Sequence, residues 1–84
     1  AAVLLEPMVG SGGCIRADDE FVRALREATA RHGIVLIFDE VMTSRLAPGG
    51  LHSVLGVQPD LLCLGKYLGG GLSFGAFGGR TEIM

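Results

Sequence analysis

The apolar positions of this chain fall into short continuous runs, with one stretch of helical periodicity between the first two. Ala1 to Leu5 is apolar throughout and is stopped by Glu6-Pro7, which reads as a buried strand. A glycine-rich turn, Gly10-Ser11-Gly12-Gly13, follows. Asp18 or Asp19 can then cap a helix in which Phe21, Val22, Leu25, Ala28 and Thr29 recur at three- and four-residue spacing, with Arg23, Glu27 and Arg31 on the other side. Glu27 and Arg31 stand at the spacing of a favourable helical pair, and Gly33 after His32 supplies the left-handed residue that closes the helix. Ile34 to Phe38 is rich in β-branched residues and continuous, as strands covered on both faces are. The segment 42–58 is rich in turn formers and reads as a loop, with His52 exposed in it. Leu61 to Leu64 gives a third strand ending at Gly65-Lys66, and Phe74 to Gly79 a fourth beyond the glycine tract Gly69-Gly70-Gly71.

Strand, helix, strand is a βαβ unit, so the expected class is α/β with a mostly parallel sheet and covering helices. Composition adds a point about size. A hydrophobic fraction of 49% with 14 glycines in 84 residues resembles the buried centre of a larger α/β domain more than a free-standing small one. Residues 1–84 are therefore expected to be one piece of such a domain, with no internal boundary, and Thr81-Glu82-Ile83-Met84 looks like the start of a helix.

Charge narrows the partners. The net charge is −2 and the 7 Lys and Arg are scattered, so there is no basic footprint for nucleic acid; a small-molecule ligand is expected. No apolar run approaches the roughly 20 residues needed to cross a bilayer, and a soluble, cytoplasmic protein with no membrane partner is expected. Cys14 and Cys63 lack CxxC spacing and read as ordinary reduced thiols.

In a parallel α/β sheet the ligand lies outside the carboxyl ends of the strands. Three strands here end in charged residues: Glu6 after the first, Asp39-Glu40 after the second and Lys66 after the third. The P-loop pattern fails, since Asp60 stands five before Gly65 and Tyr67 follows Lys66; the dinucleotide fingerprint fails at Phe74, and His32, His52 and the cysteines match no zinc spacing. A lysine in a glycine-rich, apolar setting, with an aspartate at the end of the neighbouring strand, suits Schiff-base chemistry. Desolvation favours the neutral amine that attacks an aldehyde. A buried carboxylate keeps a cofactor's ring nitrogen protonated; at about 4 Å and an effective dielectric of about 20 such a pair attracts by about 4 kcal/mol before desolvation is counted. Glu6 and Glu40 suit capping or bracing of the sheet edge equally well, and Arg45 could meet a substrate carboxylate or a surface acid.

The runs Glu6-Pro7, Leu36-Ile37-Phe38-Asp39-Glu40-Val41-Met42-Thr43, Pro59-Asp60-Leu61, Leu64-Gly65-Lys66, Gly69-Gly70-Gly71 and Gly75-Ala76-Phe77-Gly78-Gly79-Arg80 resemble, in this order, the class III aminotransferases. Within that family the sequence looks most like the glutamate-1-semialdehyde 2,1-aminomutase branch. The resemblance implies the large domain of fold-type I pyridoxal-phosphate enzymes and a homodimer with active sites at the interface. It also implies amino-group transfer between small amino and keto compounds, with pyridoxal 5'-phosphate as cofactor. Lys66 would form the internal aldimine and serve as base for the proton shift, Asp39 would hold the pyridinium, and Val41 would pack against the ring. Met42 stands where many relatives have glutamine and Ser11 where many have an acidic gate residue, both as in the aminomutase branch. Thr43-Ser44-Arg45-Leu46 departs from the aminomutases' Thr-Gly-Phe-Arg, and the loop is one residue shorter. The family's phosphate-binding turn and substrate arginines fall outside these residues. Decarboxylation or racemisation on the same cofactor, and a non-catalytic nucleotide-binding module, are the alternatives that the residues leave open.

Overall fold

The computed structural model describes residues 1–84. Strand β1 (Ala2–Leu5) is followed by two very short strands, β2 (Met8–Val9) and β3 (Ile15–Arg16), which pair antiparallel with each other. Helix α1 (Asp19–Arg31) leads to β4 (Val35–Asp39). A 3₁₀ turn at Ser44–Leu46 and a five-residue helix α2 (Leu51–Leu55) precede β5 (Leu61–Gly65), and a second 3₁₀ turn, Lys66–Gly69, precedes β6 (Gly75–Gly79).

The main sheet has the order β1-β4-β5-β6, in which β1, β4 and β5 run parallel and β6 returns antiparallel to β5. The α/β class and the four expected strands are thus present. Asp18 caps α1, its Oδ1 accepting from the Glu20 and Phe21 amides, and Gly33 takes a positive φ of 63° after the last turn. Val22 and Thr29 are buried, but Phe21, expected on the same face, is 52% exposed; its place at the edge of the apolar stripe turns it to solvent. Glu27 and Arg31 form no ion pair. The neighbouring Arg26 reaches Asp60 instead, 34 residues away.

Register decides the two faces. Leu5, Phe38 and Leu62 lie side by side, as do Leu4, Ile37 and Leu61 on the opposite face. The first face carries the core: Leu36 and Phe38 are fully buried against Val22 of α1 and Leu51 and Leu55 of α2, with Val57, Val3, Leu5 and Leu62 packed around them. Burying each such side chain stabilises by about 1.5–3 kcal/mol. The second face is bare, with Leu4 64% and Phe77 71% exposed.

The segment 42–58 differs from the expected plain loop, because it contains α2 and buries His52. Five residues cannot sustain a helix alone, and the Glu40 carboxylate supplies what the sequence lacks by taking the Leu51 and His52 amides, each at 2.7 Å. At 81–84 a single turn closes, with the Ile83 and Met84 amides donating to the Arg80 carbonyl.

Candidate active site

The parallel pairing of β1, β4 and β5 brings Glu6, Asp39-Glu40 and Lys66 to one edge, as the apolar runs require. Asp39 lies opposite Cys63 in the register, on the bare face, and Lys66 begins the turn that follows β5. Glu40 donates its amide to the Cys63 carbonyl, so β4 stays in register one residue past its end, with the Glu40 side chain on the helix side.

The charged groups at this edge differ in what occupies them. Glu6 Oε1 accepts from the Gly10 amide at 3.0 Å. Glu40 is fully buried and accepts from Leu51 N, His52 N and, at 2.9 Å, His52 Nδ1. Glu40 therefore braces the edge, while Glu6 holds the Gly10 turn through one oxygen and keeps the other without a protein partner. Asp39 has one bond, Oδ1 accepting from the Val41 amide at 3.0 Å, which leaves Oδ2 free of protein partners on a half-buried carboxylate. The ion pairs join Arg16 to Asp19, Arg26 and Arg80 to Asp60, and Arg80 to Glu82; Lys66 takes part in none.

Lys66 has φ of +50°, a left-handed conformation that costs a non-glycine residue about 1–2 kcal/mol. It is exposed, not enclosed in the apolar setting expected, because these elements leave the carboxyl-end edge uncovered. Gly65 before it is buried and tightly approached: a Cβ there would stand 3.0 Å from the Phe74 carbonyl oxygen and 3.4 Å from Val41 Cγ1. Val41 thus lies against the residue preceding Lys66 while its amide holds Asp39, which gathers Asp39, Val41 and Lys66 at one place.

Around them, Met42 lies across Gly10, and the Arg45 guanidinium lies over the Tyr67 ring, 5.9 Å from its centroid. Arg45 has found an aromatic face and not a surface acid. The Cys63 thiol is pushed up from its ordinary range by burial and by the Asp39 carboxylate beside it.

One buried carboxylate received no role from the sequence. Asp60, at the start of β5 and the opposite end of the sheet, accepts from the Leu36 amide at 2.8 Å and from Arg26 and Arg80 at 3.0 Å each. Burial alone would raise its carboxyl. The Leu36 amide and the Arg80 and Arg26 guanidinium groups outweigh that and hold it below the usual carboxylate range.

Fold and edge together define a parallel α/β layer whose ligand side is its carboxyl-end edge. The chain belongs to the class III aminotransferases: the profile of the family described as Aminotransferase class-III matches residues 1–84. It is 60% identical over 84 residues to the β-phenylalanine transaminase of Variovorax paradoxus, covering all of this chain and 19% of that protein. The solved structure of a β-phenylalanine aminotransferase from that organism matches with a TM-score of 0.95 at 59% identity, over 99% of this chain and 19% of that one. Glutamate-1-semialdehyde 2,1-aminomutase of Thermodesulfovibrio yellowstonii is 58% identical over 85 residues, covering all of this chain and 20% of the aminomutase. A transaminase solved with PLP bound matches with a TM-score of 0.91 at 36% identity, over 99% of this chain and 20% of that one. The chain thus spans about a fifth of the length of these relatives. No helix of the molecule is long and apolar enough to cross a membrane.

Proposed function

We propose that the protein containing these residues catalyses pyridoxal-phosphate-dependent amino-group transfer between small amino and keto compounds, with Lys66 and Asp39 as catalytic residues. The observation that carries this reading is the pair of unengaged groups at the strand ends. The Lys66 amine has no ion-pair partner and Asp39 Oδ2 none in the protein, while Glu40 is saturated, and Glu6, which like Asp39 accepts one amide, follows β1, the strand that is not β5's neighbour. Residues 1–84 form part of the cofactor-binding large domain. When bound, the cofactor supplies an electron sink for carbanion chemistry at the substrate's amino carbon.

These residues fit that group. Lys66 Nζ would hold it covalently and, once freed by the substrate amine, move a proton as general base. Asp39 Oδ2 would hold the proton on the ring nitrogen, with Oδ1 fixed by the Val41 amide so that the carboxylate keeps one orientation. Val41, which lies against Gly65, would pack against the ring. The exposed Leu68, Leu72 and Phe74 give the turn after Lys66 an apolar surface that suits coverage by a second subunit in a homodimer. A cytoplasmic location is part of this proposal, since Cys14 and Cys63 are both free thiols, as suits a reducing compartment.

Alignment length favours one substrate class. This 84-residue chain aligns over 84 residues with the β-phenylalanine transaminase but over 85 with the aminomutase, so the latter alignment needs a gap in this chain. A β-amino acid donor is therefore preferred to glutamate-1-semialdehyde. The full-length protein, supplied with pyridoxal phosphate, should transfer the amino group of β-phenylalanine to a 2-keto acid. Turnover of glutamate-1-semialdehyde alone would replace the donor assignment, and binding no pyridoxal phosphate would overturn the reading.

A further inference from the structure

We infer that Glu40 and His52 form a buried positioning clamp for the Asp39 turn, an inference that rests on the proposed role of Asp39. Glu40 shares a peptide with Asp39 but points to the other side of the sheet, where it is fully buried. Its bonds leave it little freedom: its amide donates to Cys63, its carbonyl accepts from Ser44 at 3.0 Å, and its carboxylate accepts from Leu51, His52 and the His52 ring. Because Oε1 accepts from Nδ1, the Glu40 bond sets the imidazole as a donor on that nitrogen.

Gly50 is shaped to this arrangement. It has φ of +81°, and a Cβ there would collide with Glu40 Oε2 and stand 3.2 Å from His52 Nδ1. The clamp therefore closes the loop 41–50 on itself, with Glu40 at one end and Gly50-Leu51-His52 at the other. Inside that loop are Val41, whose amide orients Asp39, and Arg45, which lies over Tyr67 next to Lys66. Three donors converging on one buried carboxylate are charge-assisted bonds in a water-poor place, and removing one partner leaves the others unsatisfied. A shift of Glu40 is passed through the shared peptide to Asp39, and small displacements of an orienting group reduce rate strongly. Glu40 and His52 act here through Asp39 and touch no reacting atom.

The test compares Glu40→Gln, His52→Leu and His52→Asn in the full-length protein, since Asn can place an amide nitrogen near the site of Nδ1. Amide hydrogen exchange in the cofactor-free protein is one readout and the dissociation constant for added pyridoxal phosphate is another. Glu40→Gln and His52→Leu should speed exchange at least tenfold at Val41 as well as at Leu51 and His52, and weaken cofactor binding at least fivefold. His52→Asn should stay within about twofold of the parent in both. Faster exchange confined to 51–55, with Val41 protection and cofactor affinity unchanged, would reduce the pair to a helix cap and overturn the inference. Should Glu40→Gln fail to fold, His52→Leu decides by the same two measurements. The exchange readout needs no cofactor, so it stands even if the parent protein binds no pyridoxal phosphate, the result that defeats the proposed function instead.

Discussion

Asp39 and Asp60 stand at opposite ends of the parallel sheet in opposite circumstances. Asp60 accepts from a backbone amide and two arginines and is 5% exposed, whereas Asp39 accepts from one amide and keeps an oxygen unengaged. Strand direction sets this division. At the amino-end edge the chain must tie β4, β5 and β6 to α1, and Asp60 does so through Leu36, Arg26 and Arg80. At the carboxyl-end edge the two faces differ: Glu40, on the helix side, is consumed by Leu51 and His52, while Asp39, on the bare face where the proposed ligand would enter, is not. A saturated carboxylate stabilises; one with an unengaged oxygen is what the proposed chemistry requires.

The sharpest way to break the comparison is at Lys66. In the full-length protein Lys66→Ala should remove detectable turnover, and Lys66→Gly should do the same. The cofactor-free glycine variant should be as stable as the parent or more stable by up to about 1 kcal/mol, because φ of +50° is relieved. Steady-state rates and thermal denaturation of the apoprotein check both halves. Asp39→Asn should lower kcat by at least about 10²-fold, since an amide cannot hold the ring proton, yet leave the melting temperature nearly unchanged because Asn still accepts from Val41.

Asp60→Asn is the mirror image. It should lower stability on the order of 2–3 kcal/mol by stranding the arginines, while the rate per folded molecule stays within about twofold. The sign with pH follows from its lowered carboxyl. A group held below its ordinary 3.8 contributes stability that is complete above about pH 4 and is lost as pH falls through the folded value. The parent's melting temperature should therefore drop on acidification in that window, and the Asn variant's curve should be flatter there. The smallest effect is expected at Gly50→Ala, about 1–2 kcal/mol of lost stability from the positive φ and the contact with Glu40.

The strands were legible because each is a short apolar run, and parallel pairing then forces the polar residues after them onto one edge. That ground brings Glu6, Asp39-Glu40 and Lys66 to the edge together. What distinguishes Asp39 from its neighbour Glu40 was not legible, since it depends on partners 11 and 12 residues ahead that make Glu40 a brace. Helix α2 and the burial of His52 went unread for the same reason: LHSVL has no helical signal of its own and is held by Glu40 through tertiary bonds. The Asp60 network, with Arg26 34 residues before it and Arg80 20 after, lies beyond any local pattern. The exposure of Phe21 and the antiparallel pair at 8–9 and 15–16 turn on where a stripe ends and on two-residue pairing, where periodicity carries no information.

The central claim is that the unpaired lysine at the carboxyl-end edge is the one that takes the cofactor. Full-length protein loaded with pyridoxal phosphate, reduced with borohydride, digested and mapped by mass spectrometry tests it directly. The account predicts the reduced cofactor on the peptide containing Lys66, the only lysine of these 84 residues. Cofactor fixed to a lysine elsewhere in the protein, with Lys66 unmodified, would contradict it.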